Sequence, residues 1–329
     1  MRSLKKIVVV AVLIFSGNEA WAQGGMSPIP SDWLSAFSAV EADPHPEKLT
    51  RDSHYWISDE RRHDLFRETI NNSGGVFIGL GTDQNYLMAA WAKPEILVPL
   101  DFDQMVVNIH YVFRAIFLNA KTPNDFVAMW SEDQYASTKA LLKQAYADKS
   151  ESFQKGILRA FKMGGKFIRR RLVRIVKSFG RLGVPTFLSD RSQYQYIVDM
   201  FKNNRVFPVR GDLTAQKTVK QVGEAARKCG LTIRTLYLSN AEQYFKFSDD
   251  YRSNMLSLPF DERSMVIRTA GTKKPWTADG VYDYVSQTGE NFKKWIAHER
   301  TYNVWTIVQA RKVNKKTGFS TVTKLPEEE

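Results

Sequence analysis

Three short stretches of the chain combine glycine, acidic and amide residues in patterns that could bind a small polar ligand. In residues 79–85, two glycines would let the backbone approach a ligand closely, and the helix that follows offers free backbone N–H groups. An acid in residues 101–103 could accept both hydroxyls of a ribose, and the acid at 212 could accept from the amino group of a base. The candidate binding residues are Gly79, Gly81, Thr82, Asp83, Gln84, Asn85, Asp101, Asp103, Gly211 and Asp212.

A fourth stretch, residues 237–244, is polar and aromatic and supplies the candidates for catalysis. Glu242 or His110 could take a proton, but His110 lies on an apolar helix, where a core histidine is the favoured interpretation. His54 and His63 flank residues 58–60, a segment that could fold over the pocket. With one cysteine and scattered histidines, the sequence predicts no metal site. The candidate catalytic residues are Ser239, Asn240, Glu242 and Tyr244.

All four stretches lie at the ends of predicted strands. Short apolar runs at residues 76–81, 96–103, 206–212, 233–240 and 264–271 alternate with helical patterns, which predicts a doubly wound, mostly parallel α/β sheet. In such a sheet, ligands bind beyond the carboxyl ends of the strands. Residues 303–312 and 319–325 are separated only by a short turn, so we expect them to form a closing antiparallel hairpin.

The first 22 residues are typical of a secretory signal peptide. A basic start precedes the apolar run Ile7–Phe15, and Ala20-Trp21-Ala22 is a small-x-small cleavage pattern. The alternative is a membrane anchor, but this run is too short to span a bilayer. We therefore expect export to the periplasm, the cell surface or the medium, with no transmembrane segment in the mature chain. Residues 23–52, rich in proline and serine, are predicted to be a linker into a domain at 53–329.

Positive charge is concentrated in one part of this domain. The chain carries 47 lysines and arginines against 35 acids, a net charge of +12, of which the signal segment contributes +2. Residues 152–189 contain ten cations and no acid, so they account for the remaining +10. Apolar residues recur through this tract at helical spacing, which predicts an amphipathic helix with a basic face inside a helical insertion at 121–183. This basic face is either exposed to solvent without a partner or in contact with an anionic partner.

Composition excludes several classes of protein. The chain has 43% hydrophobic and 25% charged residues, which is typical of a folded domain and not of a disordered chain. A single cysteine excludes a disulfide framework within the chain. We expect no nucleic-acid partner, because no recognised nucleic-acid-binding module surrounds the basic tract.

The order of the motifs resembles that of class I S-adenosylmethionine-dependent methyltransferases. More closely, GVFIGLGTDQNY, PTFLSD, VRGDLTA and LYLSNAEQYF resemble a bacterial family of mostly uncharacterised secreted proteins with a methyltransferase-like Rossmann fold, over about residues 53–325. The resemblance implies S-adenosylmethionine as cofactor. Gly79 and Gly81 would approach its methionine part, Asp101 its ribose and Asp212 its adenine. The residues implied at the methyl-transfer site are Ser239, Asn240, Glu242 and Tyr244.

The sequence departs from the methyltransferase pattern in three places. Asp83 stands where many of these enzymes have a third glycine, no acid precedes Gly79, and Leu-Ser-Asn-Ala follows the fourth strand in place of Asn-Pro-Pro-Tyr. A nicotinamide cofactor is disfavoured, because Gln84 occupies the third glycine position of G-x-G-x-x-G. Two functions remain open. One is a secreted protein that binds a nucleoside-type ligand such as S-adenosylmethionine, with or without methyl transfer. The other is a non-enzymatic surface or host-interaction protein, whose basic residues 155–181 contact anionic lipid or polysaccharide.

Overall fold

A single eight-stranded sheet forms the centre of the protein. The computed structural model describes residues 26–326. Across the sheet the strand order is β3-β2-β1-β4-β5-β6-β8-β7. The strands are β1 (Val76–Leu80), β2 (Ile96–Asp101), β3 (Val209–Arg210), β4 (Ile233–Tyr237), β5 (Met265–Gly271), β6 (Tyr282–Thr288), β7 (Lys312–Asn314) and β8 (Phe319–Thr321).

Helices cover both faces of this sheet. Alternate residues of β1 point to opposite faces, so that Phe77 joins one core, and Val76 and Ile78 join the other. The helices are α1 (Ser31–Ser38), α2 (Arg67–Ile70), α3 (Asp83–Ala92), α4 (Gln104–Asn119), α5 (Pro123–Ala128), α6 (Tyr135–Ala145), α7 (Glu151–Arg181), α8 (Arg191–Lys202), α9 (Thr218–Lys228), α10 (Asp249–Ser257), α11 (Gly289–Ala297) and α12 (Val304–Gln309). Among residues 26–326, no helix is long and apolar enough to cross a membrane.

The first five strands are parallel, as the sequence predicts. β1 pairs with β2 on one side and β4 on the other, and β5 pairs in parallel with β4. Because the chain moves outward from β1 to β3 and then returns to place β4 beside β1, the direction of winding reverses between β1 and β4. The predicted doubly wound α/β architecture is confirmed.

The carboxyl-terminal part contains both a confirmation and a correction. β7 and β8 form the predicted antiparallel hairpin. However, most of the segment predicted as its first strand is helix α12, because the Asn303 side chain accepts from the backbone N–H groups of Trp305 and Thr306 and so caps a helix. Strand β6, for which the sequence analysis gave no strand, pairs antiparallel with β5 along its whole length.

The helical insertion consists of α5, α6 and α7. α7 is 31 residues long, begins at a Ser150 cap and packs against α4 and α6. One face of α7 enters the core through Ile157, Phe161, Ile168, Leu172, Ile175 and Phe179, all at most 2% exposed. The predicted amphipathic helix is therefore present, with its apolar face buried.

The amino-terminal residues pack on the domain. The predicted signal peptide, residues 1–22, lies outside the described residues. Within the predicted linker, α1 packs on α9, and Phe37 is buried in the core. Arg205 donates hydrogen bonds to the carbonyl of Ser27. The described part of this segment, from residue 26, is thus joined to the domain by an apolar anchor and by backbone contacts.

Candidate functional site

The predicted ligand-binding stretches lie together at the carboxyl edge of the sheet. They follow β1, β2, β3 and β4, which stand side by side. Across the ladders, Gly79 pairs with Pro99 and Tyr237, and Asp101 pairs with Arg210. This edge includes the point between β1 and β4 where the winding reverses, the usual ligand position in open α/β sheets. Residues 79–85, 101–103, 211–212 and 239–240 therefore share one edge.

The glycines of the first loop make room for side chains of the same chain. A Cβ added to Gly79 would lie 1.9 Å from Asn85 Oδ1, and one on Gly81 would lie 2.1 Å from Gln84 Nε2. Gly81 also has a φ of 80°, a conformation that favours glycine. The Gln84 and Asn85 amides donate to the carbonyls of Leu80 and Gly81 at 3.1 and 2.9 Å. The space that the two glycines leave is thus filled by protein.

The first turn of α3 is enclosed as well. Thr82 occupies the cap position, but its hydroxyl donates to the carbonyl of Trp56 at 2.9 Å, and its backbone N–H donates to Gln84 Oε1 at 3.2 Å. Asp83 accepts from Arg171 Nε at 3.1 Å. Residues 82–85 are each at most 3% exposed. The amino-terminal end of α3 therefore faces protein groups instead of solvent.

A buried carboxylate joins the segment before β1 to the ends of β4 and β5. Glu60 is 2% exposed and accepts from Tyr237 at 2.5 Å and from Ser239 at 2.9 Å. The Ser58 and Thr269 hydroxyls also donate to it, and His63 Nε2 lies 3.2 Å from Glu60 Oε2. Segment 54–63 lies over this edge of the sheet, as the sequence suggests, but Glu60 and Tyr237 are not among the candidate residues that the sequence singles out within these stretches. Their pairing joins residues 177 positions apart, so no local pattern reveals it.

This cluster keeps Glu60 charged. Burial by itself raises the pKa of the Glu60 carboxyl, but hydrogen bonding and the charge of His63, with hydrogen bonds from Ser58 and Thr269, lower that pKa to about 2. Because Glu60 lies in the covering segment and its donors Tyr237 and Thr269 lie in β4 and β5, the carboxylate crosslinks this segment to the sheet. Both oxygens of the Glu60 carboxylate accept hydrogen bonds, so this geometry gives Glu60 a structural role.

Asp101 and Asp103 differ although they are two residues apart. Burial raises the pKa of Asp101 to about 7, despite hydrogen bonds from the backbone N–H groups of Asp103 and Gly81. Asp103 instead caps α4 by accepting from the backbone N–H of Met105, and its other oxygen lies 2.6 Å from His54 Nδ1. Asp101 is therefore the one acid of this pair whose carboxyl is not held by another side chain within the described residues.

The predicted adenine position is covered by the amino-terminal segment. Asp212 accepts from the backbone N–H and the hydroxyl of Thr214, at 2.8 and 2.7 Å. The buried carboxylate of Asp43 accepts from the backbone N–H groups of Asp212, Lys217 and Thr218 at 3.0–3.3 Å. The protein thus places its own anion at the start of α9, where the backbone N–H groups favour negative charge.

The predicted catalytic residues are spread over different environments. Ser239 belongs to the Glu60 cluster, and the Asn240 amide donates to the Tyr282 hydroxyl at 3.2 Å. Glu242 is buried with Arg268, Nε to Oε2 distance 2.9 Å, and burial raises its pKa. Tyr244 is 54% exposed. The structure does not bring these four side chains around one reacting position.

His110, which the sequence offers as a possible proton acceptor, lies inside the core of the protein. His110 is fully buried, with its ring nitrogens 2.7 Å from the Tyr86 hydroxyl and 2.9 Å from the Gly81 carbonyl, and burial lowers its pKa to about 4. It is the core histidine that the sequence favours. In the described part of the chain, no group of three His, Cys, Asp or Glu residues could hold a metal ion.

The outer face of α7 is the second candidate site. Eight of the ten cations predicted for this tract are exposed, and among residues 26–326 only Lys155 has an acidic partner, Glu151 at 2.7 Å. The other seven, which we call the basic face, are Arg159, Lys162, Lys166, Arg170, Arg174, Lys177 and Arg181.

Two arginines of the tract are not part of the basic face. Arg171 is 1% exposed, pairs with Asp83, and donates from Nη1 to the carbonyl of Glu60 at 2.8 Å. Arg169 donates to the carbonyl of Val127. The prediction included both among the basic residues 155–181 that contact an anionic partner. Arg171 cannot do so in this structure, because it lies three residues after Ile168 and four before Ile175, on the apolar side of the helix.

A family model described as a domain of unknown function, DUF7790, matches residues 55–323. The chain belongs to this family. A comparison with curated proteins gives no match. Among solved structures, the rRNA methyltransferase aviRa from Streptomyces viridochromogenes is similar to this protein, at 7% identity and a TM-score of 0.27. The similarity covers 75% of this chain and 84% of the aviRa chain. This is a weak, distant likeness to a methyltransferase, and the assignment of an α/β fold rests on the sheet itself.

The residues at the sheet edge do not fit S-adenosylmethionine in the position that the sequence predicts. The cradle beside Gly79 and Gly81 is filled by Asn85 and Gln84. Asp43 covers the start of α9 beside Asp212, and residues 82–85 are enclosed. A cofactor at this edge would have to displace several hydrogen-bonded side chains.

Proposed function

We propose that the protein binds an anionic macromolecular surface through the basic face of α7. The observation that carries this proposal is a set of seven exposed cations on one helix without an acidic partner among the described residues. Such charges repel one another, and an anionic partner would relieve that repulsion. Two other arginines, Arg171 and Arg268, are by contrast buried beside a carboxylate.

The packing of α7 on the domain suits a rigid contact surface. Its inner face is buried in the core, and Gly164 allows the Trp56 ring to lie against the helix, since a Cβ there would come within 2.5 Å of that ring. From Arg159 to Arg181 the helix rises about 33 Å. The charges are therefore presented in a fixed row, and little conformational entropy of the backbone would be lost on binding.

The compartment of this contact follows from the predicted signal peptide. We place the protein outside the cytoplasm, in the periplasm, on the cell surface or in the medium. Anionic lipid headgroups and acidic polysaccharides are the polyanions that such a location offers. The function is that of an interaction protein, in which the α/β domain holds the helix.

The proposal can be tested by heparin binding of the full chain at increasing salt. The triple variant Lys166→Ser/Arg170→Ser/Arg174→Ser is expected to weaken binding more than about tenfold, since each cation near an anionic surface contributes on the order of 1 kcal/mol. The matched control is Lys312→Ser/Lys315→Ser/Lys316→Ser, which removes the same charge from exposed positions near the hairpin. If both triple variants lose heparin affinity equally, binding depends on the net charge of the protein and not on the basic face.

A nucleoside-type ligand such as S-adenosylmethionine remains a prediction from the sequence. We expect S-adenosylhomocysteine at millimolar concentration to leave the thermal unfolding curve unchanged, because the glycine loop is filled by Gln84 and Asn85. Stabilisation by the ligand that disappears in Asp101→Ala would reverse this expectation. It would show that the edge of the sheet opens to admit a nucleoside, and would return methyl transfer to consideration.

A further inference from the structure

Two apolar side chains interrupt the basic face. Met163 is 38% exposed and Phe167 is 43% exposed, although both could be polar without loss to the core. Together with Arg170, Arg174 and Arg181 they follow one another at intervals of four, three, four and seven residues, which places all five on one stripe of the helix. The stripe thus carries two apolar side chains followed by three cations over about five turns.

We infer that the anionic partner is a lipid bilayer surface, with Phe167 and Met163 inserted between headgroups while the neighbouring cations contact phosphates. This inference rests on the proposed function, because it names the partner of the same face. An amphipathic surface of this kind binds bilayers through apolar area combined with attraction to anionic lipids. Arginine and lysine side chains beside an inserted ring can reach back to the headgroups.

The apolar pair distinguishes a bilayer from a polysaccharide. A sulfated or carboxylated sugar chain would be satisfied by the cations alone, and a methionine has no ring with which to stack on a sugar. A bilayer, by contrast, removes both side chains from water.

The same helix supplies a matched control. Val176 is 41% exposed, close to the 43% of Phe167, but it lies nine residues further along, about half a turn away from the stripe. A bilayer that contacts the stripe would leave Val176 on the opposite flank. Phe167→Ser and Val176→Ser therefore remove similar exposed apolar side chains from two sides of one helix.

The experiment is co-sedimentation of the full chain with vesicles of phosphatidylcholine alone or mixed with phosphatidylglycerol. We expect binding only to the mixed vesicles, weakened about fivefold by Phe167→Ser and unchanged by Val176→Ser, because burying the exposed part of a phenylalanine side chain accounts for a factor of this size. Met163→Ser is a second variant with an effect in the same direction. Thermal unfolding of each variant verifies that it is folded, and heparin binding should be equal in all of them.

The other outcomes separate the inference from the proposed function. If the chain binds heparin but not mixed vesicles, or if Phe167→Ser and Met163→Ser bind vesicles like the unmodified chain, the bilayer inference is overturned and the polyanion proposal stands. If the chain binds neither heparin nor mixed vesicles, both are overturned.

Discussion

The carboxyl edge of the sheet and the outer face of α7 both carry many charged side chains, but they differ in whether those side chains have partners within the described part of the chain. At the sheet edge, the carboxylates of Glu60, Asp83 and Asp43 are buried and hydrogen-bonded to groups of the same chain. On α7, seven cations are exposed and have no acidic partner among the described residues. The sheet edge resembles a binding site by its residue types, yet its polar groups are largely used internally.

Neighbouring residues of α7 show the same contrast within one turn. Arg170 is exposed, whereas Arg171 is buried and connects Asp83 to the carbonyl of Glu60. Both have the same chemistry and differ only in the side of the helix on which they lie. A charged residue therefore indicates an external partner only where the fold leaves it without a partner in the same chain.

The largest expected effect is that of Arg171→Met. This change leaves the buried carboxylate of Asp83 without its cation, which is expected to lower the free energy of unfolding by about 3–5 kcal/mol. Urea denaturation measures the change. Arg174→Met, an exposed position on the same helix, is the control and should alter stability by less than about 0.5 kcal/mol. Similar losses in the two variants would abolish the distinction between inward and outward charge on α7.

Glu60→Gln is expected to lower the free energy of unfolding by about 3 kcal/mol at neutral pH. The folded protein lowers the pKa of Glu60 from 4.5 to about 2, so this group binds fewer protons in the folded state. Its contribution to stability is therefore present above about pH 5 and is lost as the pH falls toward about 2. Urea denaturation over this range should show a shallower pH dependence for Glu60→Gln than for the unmodified chain. An identical pH dependence would mean that the cluster does not fasten the covering segment.

Gly79→Ala tests whether the glycine loop is shaped for the protein or for a ligand. The added Cβ would collide with Asn85 Oδ1, so we expect a loss of about 2 kcal/mol. In the double variant with Asn85→Ala the contact with Asn85 is absent and only the contact with Phe77, at 2.9 Å, is left, so the loss should be smaller than the sum of the two single changes by about 1–2 kcal/mol. Additive losses would indicate that Asn85 is not what fills this space. Gly180→Ala, where nothing lies within 4 Å of the new Cβ, serves as the control and should not destabilise the protein, since alanine is the better helix former.

Much of the architecture could be predicted because local patterns determine it. The buried runs of β1 and β2 and the alternation of strands with helices follow from hydrophobic periodicity. The segment at 304–309 is different: its apolar residues suit a strand or a helix, and the Asn303 cap decides for a helix. Strand β6 contains the buried Asp283, whose carboxylate accepts hydrogen bonds from Arg311 and Ser320, and only folding brings these two donors to it.

The sequence by itself determined the first five strands, the amphipathic helix and the location of the excess positive charge, since each depends on spacing or composition along the chain. Only the tertiary structure decided which polar groups are free. Gln84 and Asn85 fill the glycine loop, Glu60 joins Tyr237 across 177 positions, and Arg171 turns inward to Asp83. The physical reason is that a hydrogen bond or ion pair depends on distance in space, and residues far apart in sequence acquire that distance only when the chain has folded.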